Sequence, residues 1–267
     1  MKRTALLLFL IFIMAFTPVF ADTETAEDTE NYFDSLQKAS DYITDQIGSG
    51  NREFEFYYTG IEDGDAISLM RMSAGLMGVY GGEGALSFYS KATNVDGTDY
   101  YRYTVKTTYL TKKRLNSAIT IAEKVAKNAK KKSTKQKKYL YINNWMKKNI
   151  KFTTKQGIYD TIYGALVKGK ADANAYAATF ALICKKAGLE CEYVSGNRTG
   201  NGPNGLHCWN IIKIGKKWYS VDVSMNDYYS NNKYFKCTKS NKTFWKGRTL
   251  LDEYTTKAYK KDHPMAS

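Results

Sequence analysis

The sequence predicts an α+β fold: helices packed on an antiparallel sheet, preceded by a smaller α+β region. Three observations carry that expectation. Apolar residues recur at helical spacing over residues 115–129, 139–150 and 172–186. Residues 207–223 alternate about a Gly-Lys pair as a β-hairpin does. Two aromatic-rich runs, Glu53 to Tyr58 and Asp99 to Leu110, read as strands earlier in the chain. With 267 residues, 43% hydrophobic and 14% aromatic, the chain has the material for a real core, which excludes wholesale disorder. Two histidines and four scattered cysteines argue against a multi-ligand zinc or iron–sulfur protein, so no metal and no cofactor is expected.

The chain begins with a short positive head, Met1-Lys2-Arg3, then an apolar run from Leu6 to Phe16. Small residues at Val19 and Ala21 fit a cleavage site before Asp22. The run is shorter than the roughly 20 residues that span a bilayer, so a secretory signal over residues 1–21 is expected, with a short anchor as the alternative. No later segment is apolar enough to cross a membrane. The expected location is therefore extracellular or wall-associated. The bias of Lys over Arg, with abundant Asn and Tyr, suggests an AT-rich bacterial genome.

The net charge of +14 divides unevenly: +2 in residues 1–21, −7 in residues 22–50 and +19 in the rest. The start of the acidic arm is polar; Tyr32 to Ile47 has helical spacing and ends at Gly48-Ser49-Gly50. Asp65 to Met77 reads as a helix and Gly81-Gly82-Glu83-Gly84 as a breaker. The organisation expected is a signal (1–21), an acidic arm and helix (22–50), an N-terminal α+β region (51–111) and a second domain (112–267). Between the helices at 115–129 and 139–150 lies a Lys-rich junction. Outside a cell, the stretch Lys124 to Lys138 would face an anionic wall polymer rather than nucleic acid; the alternative is a solvated charged face.

Asp172 to Lys186 reads as a helix with Ala173, Tyr176, Ala177, Phe180, Ala181 and Cys184 on its apolar face, followed by Gly188 and a strand over Leu189 to Val194. In the hairpin, a two-residue turn at Gly215-Lys216 sets 214 opposite 217 and 209 opposite 222. His207 and Asp222 then become diagonal neighbours on one face, within reach of each other. A carboxylate beside an imidazole fixes its tautomer and stabilises its charged form, so this spacing points to a His–Asp pair. The alternative is a strand histidine packed on Trp209, with Asp222 holding a turn.

Three blocks, Gly169-Lys170-Ala171-Asp172-Ala173-Asn174-Ala175-Tyr176-Ala177, His207-Cys208-Trp209-Asn210 and Trp218-Tyr219-Ser220-Val221-Asp222-Val223, resemble the transglutaminase-like superfamily, which shares its fold with papain-like cysteine enzymes. The resemblance spans roughly residues 135–235. It implies a Cys–His–Asp site acting on peptide or protein, in which the positions are 173, 207 and 222, with Trp209 and Tyr176 against the substrate. The departure is at the nucleophile: position 173 is alanine. A methyl group attacks no carbonyl. Cys208 points to the opposite face from His207, and Cys184 lies about 16 Å along the helix. Two readings of Ala173 stand. Either the chain is an inactive relative that binds peptide, protein or cell-surface material, or alanine is an introduced substitution in a natural transglutaminase or cysteine peptidase. The four cysteines lie between 184 and 237, and Cys184 with Cys191 forms a disulfide or all four are buried hydrophobes.

Overall fold

The computed structural model describes residues 31–59, 85–106 and 110–267. The expected signal (1–21), the start of the acidic arm, the helix at 65–77 and the breaker at 81–84 lie outside the described residues. Residues 31–267 form one compact unit.

The N-terminal part is a sheet of order β1-β2-β4-β3, made of β1 (Tyr32–Phe33), β2 (Glu53–Tyr58), β3 (Ala85–Val95) and β4 (Thr98–Lys106). The first helix starts later than the spacing of apolar residues suggests. Tyr32 and Phe33 pair in parallel with Tyr57 and Tyr58, and α1 (Leu36–Ser49) begins only after Ser35, whose hydroxyl accepts from the Lys38 N–H. Aromatic residues at helical spacing were equally suited to a strand, and the Ser35 cap decides the boundary. Gly50 ends α1 at φ 90°, a conformation that favours glycine. Helix α1 buries Ala39, Ile43 and Ile47 in the same core as Phe54 and Phe56 of β2 and Val105 of β4. Strand β3 was not foreseen, yet Asp96-Gly97, both at positive φ, is the two-residue turn that joins it to β4.

Two long helices follow, α2 (Lys112–Lys130) and α3 (Lys135–Asn149), capped by Thr111 and Thr134. The Lys-rich junction is therefore mostly helix, with only residues 131–134 between. After β5 (Lys151–Phe152), α4 (Ile162–Leu166) and β6 (Lys170–Ala171) comes α5 (Ala173–Lys186). Ten of its fourteen residues are buried, more than a single apolar face supplies. It is a central helix, and its run of alanines lets other elements approach from several sides.

The second sheet is antiparallel throughout, of order β10-β7-β8-β9. It comprises β7 (Cys191–Arg198), β8 (Gly205–Ile214), β9 (Lys217–Val221) and β10 (Arg248–Leu250). The expected strand at 189–194 is thus shifted towards the C-terminus, because Ala187 and Gly188 close α5 and the Leu189 N–H still bonds back to the Cys184 carbonyl. Short helices α6 (Val223–Tyr228), α7 (Lys242–Trp245) and α8 (Lys257–Asp262) complete the chain. Val194, Trp209 and Phe244 belong to a second core, whereas Ile212 joins the main one. This is the alternation of a strand buried on both faces. All four cysteines are free thiols, so no Cys184–Cys191 disulfide is present.

Candidate functional site

The hairpin closes at Gly215-Lys216 with Ile214 opposite Lys217 and Asn210 opposite Val221, the register that sequence spacing predicts. β9 stops at Val221. Asp222 is the N-cap of α6 instead of a strand residue, and its Oδ1 accepts from the Met225 N–H at 3.0 Å and the Ser224 hydroxyl at 2.7 Å. Its Oδ2 lies 2.7 Å from Nε2 of His207. Both side chains are buried, at 0% and 2% exposure. With Nε2 committed to Asp222, Nδ1 is the ring nitrogen left to exchange a proton with a neighbour.

A fourth group, unforeseen from sequence, completes this arrangement. Arg248 of β10 donates from Nη2 to the same Asp222 Oδ2 at 2.6 Å and from Nη1 to the Phe244 carbonyl. Its guanidinium lies over the Phe244 ring at 4.4 Å from the centroid and over Tyr234 at 5.2 Å. Burial alone would raise the Asp222 carboxyl. The charge and hydrogen bond of His207, the charge of Arg248 and the Met225 N–H overcome burial and hold it well below the ordinary carboxylate range.

Ala173 is the first residue of α5. The head of this helix meets the second sheet through Tyr193 of β7. Tyr193 donates its hydroxyl to Asn174 Oδ1 at 2.9 Å, and the Tyr193 hydroxyl oxygen lies 2.7 Å from Sγ of Cys208. One turn further along α5, the Asn210 side-chain amide donates to the Ala177 carbonyl at 3.0 Å. Asn210 was legible as part of a motif; its work of fastening helix to sheet was not. Cys208 is the thiol beside the head of the helix, and burial pushes it up to about 12 despite the Tyr193 hydrogen bond. It is a thiol at neutral pH.

Asp172, the N-cap of α5, accepts from the Ala175 N–H at 2.9 Å. Burial first, then the hydrogen bond and charge of Asp160, push it up to about 8. Burial raises the Asp160 carboxyl as well, so the head of α5 carries less negative charge than its sequence suggests.

Trp209 and Tyr176, expected against the substrate, are both 1% exposed. Trp209 packs among His207, Phe244 and Trp245. Tyr176 donates to the Ile150 carbonyl at 2.9 Å and lies 3.0 Å from Asp227 Oδ2. The structure assigns them packing and fastening, and neither presents a face to solvent. A cavity of about 320 Å³ lies between Lys147, Lys148, Lys151 and Asp227, and another of about 520 Å³ by Arg52, Lys113 and Arg114; neither is lined by Ala173, His207 or Asp222. Among the described residues no group of His, Cys, Asp or Glu is placed to hold a metal ion. No described helix is long and apolar enough to cross a membrane.

Residues 119–223 match the Transglutaminase-like superfamily. Solved structures similar to this chain include one described as a TGase, at 15% identity and a TM-score of 0.40 over 72% of this chain and 56% of that one. Another is the periplasmic domain of TgpA from Pseudomonas aeruginosa bound to ethylmercury, at 13% identity and a TM-score of 0.36 over 55% and 69%. The chain thus spans about half the length of the first of these. No curated protein matches the sequence.

Proposed function

From the premise of a transglutaminase-like domain over residues 119–223, we propose that the protein binds an extended peptide or protein segment at the head of α5 without acting on it covalently. The observation that carries this reading is Ala173 at the first position of a capped, central helix, with a buried His207–Asp222 pair on the strand tied to that helix. A positioned imidazole serves a nucleophile, and here the nucleophile position holds a methyl group. The neighbouring thiol of Cys208 is held protonated.

The place for a peptide is the end of β8. This strand begins at Gly205, whereas β9 pairs with it only from Asn210, so five residues run past the end of β9, of which Gly205 and Leu206 are exposed and the other three buried. Leu206 stands there 61% exposed. Backbone beyond the end of its neighbour accepts another strand, and an exposed Leu gives that strand an apolar contact. The protein is expected to bind extended peptides, with binding weakened by Leu206→Asp, and to show neither hydrolysis nor amine incorporation. Measurable turnover of a glutamine or peptide substrate by the unmodified chain overturns this reading and favours the enzyme alternative.

A second reading has its own observation. Among the described residues Lys124, Lys127, Lys130, Lys131, Lys132 and Lys137 have no carboxylate within 4.0 Å, while Glu123 and Glu190 nearby are taken by Lys186 and by Lys135 and Lys213. Six unmatched cations on one helical corner suit an anionic wall polymer. Binding to a soluble polyphosphate that weakens steeply with salt supports it, and salt-independent binding removes it.

A further inference from the structure

We propose that Arg248 is a positioning residue for the His207–Asp222 pair, so that the pair is completed by a segment outside the matched residues 119–223. The proposal goes beyond peptide binding, because it concerns what holds the pair together whatever the site binds. Asp222 is wholly buried and accepts from four donors: Ser224, the Met225 N–H, His207 and Arg248. The first two fix Oδ1 and the rotamer. Oδ2 has to remain a charged acceptor for Nε2 of His207, and a buried carboxylate does so only with a compensating charge. Two charges face it, those of His207 and Arg248, and of the two only the guanidinium is fixed whatever the protonation of the imidazole.

Besides Arg248 only His207 brings charge to the carboxylate, and His207 is itself the partner to be oriented. Cys208 and Cys237 are both pushed up to about 12 by burial, and Tyr234 is also raised, so all three are neutral where the protein works. The backbone and hydroxyl of the α6 turn are dipoles. His207 is the partner whose orientation is at stake.

The fold is built to bring Arg248 there. β10 lies on β7 with Leu250 opposite Gly196, and Gly196 is in turn opposite His207. A Cβ on Gly196 would sit 2.0 Å from the Thr249 carbonyl oxygen and 2.7 Å from the Trp209 ring. Only glycine lets β10 approach this closely, and that approach carries the guanidinium across the sheet face to Asp222. Phe244 and Tyr234 flank it, and the Phe244 carbonyl accepts from Nη1.

The test compares the wild type with Arg248→Met, which keeps much of the bulk and loses the charge, and Arg248→Lys, which keeps the charge. The low-field ring N–H proton of His207 is followed by NMR against pH, beside urea denaturation midpoints at the same pH values. In the wild type the signal persists as pH falls through the ordinary carboxylate range near 4. In Arg248→Met it is lost about one to three pH units higher than in the wild type, the shift that removing an adjacent opposite charge produces. Arg248→Lys keeps the wild-type profile even where its overall stability falls, and it carries the test should Arg248→Met fold poorly. In an Asp222→Asn background the Arg248 variants no longer differ in pH profile. A uniform loss of stability at every pH, with the N–H profile unmoved, overturns the proposal and leaves Arg248 a packing residue. None of these readouts uses a bound peptide, so peptide binding can fail while this result stands.

Discussion

Replacing Asp172 by asparagine should stabilise the protein at neutral pH, although it removes a helix-capping carboxylate. Asp172 caps α5 through a hydrogen bond from the Ala175 N–H, and asparagine caps as well as aspartate does. What the substitution removes is a proton-binding site. Burial and Asp160 push Asp172 up from 3.8 to about 8. A group whose folded pKa is raised favours the folded state fully below its unfolded value and loses that contribution as pH rises towards the folded one. Between about pH 4 and 8 the unfolded chain ionises here and the folded chain resists, so stability falls across that window. At 1.36 kcal/mol per unit, the loss accumulated by pH 7 is about 4 kcal/mol at most. Asp172→Asn escapes it. Urea denaturation at pH 4, 5.5, 7 and 8 is therefore expected to show near-equal stabilities at the acid end and a widening advantage for Asp172→Asn towards neutrality. A variant less stable than the wild type at pH 7, or a difference that does not change with pH, would refute a raised Asp172 at the α5 head.

Four further outcomes follow from the geometry. Ala173→Cys should label with iodoacetamide faster than an ordinary surface thiol, and adding His207→Ala should remove the gain; equal labelling means the His207 ring does not serve position 173. Tyr176→Phe should cost about 1.5–3 kcal/mol in denaturation experiments, because a buried hydroxyl that meets both the Ile150 carbonyl and the Asp227 carboxylate is lost. Gly196→Ala should cost at least about 2 kcal/mol, since the added methyl collides with the Thr249 carbonyl. A wild-type melting temperature for that variant would show that β10 is free to move. Below the ordinary carboxylate range the protein should lose stability through Asp222, whose lowered folded value makes its contribution present above about pH 4 and lost on further acidification; flat acid stability in a titration monitored by circular dichroism would count against that.

What was legible in the sequence followed from local chemistry. The hairpin register was fixed by one Gly-Lys turn, and once the turn was placed the His207–Asp222 contact followed from a two-residue period. The head of α5 was legible because an aspartate precedes an alanine-rich run. Arg248 was not legible. It lies 26 residues beyond Asp222, in a short edge strand with no alternation of its own, and its place depends on Gly196 in a different strand. The burial of Trp209 and Tyr176 was not legible for a related reason. A motif shows that an aromatic stands near a site, but not whether later segments cover it. Here α7 covers Trp209, and Asp227 together with the end of α3 takes the Tyr176 hydroxyl.

The His207–Asp222 pair beside an alanine invites the inference that the site is catalytic and merely disarmed. The energetics point elsewhere. In this protein the pair is one edge of a buried ionic cluster that also includes Arg248, and every member is at most 7% exposed. Removing any one member of such a cluster leaves the others desolvated and uncompensated, which costs about 3–5 kcal/mol for a broken buried ion pair. Against a total stability of about 5–15 kcal/mol for a domain, that loss is large. Position 173 is different. A side chain at the head of α5 has no such partners, and exchanging Cys for Ala there removes one sulfur from a site that is 9% exposed. The side chain at position 173 can therefore be exchanged at little cost to folding, whereas the pair cannot. The combination of an intact His207–Asp222–Arg248 cluster with Ala173 is what stability alone maintains, and activity has to be argued from position 173 itself.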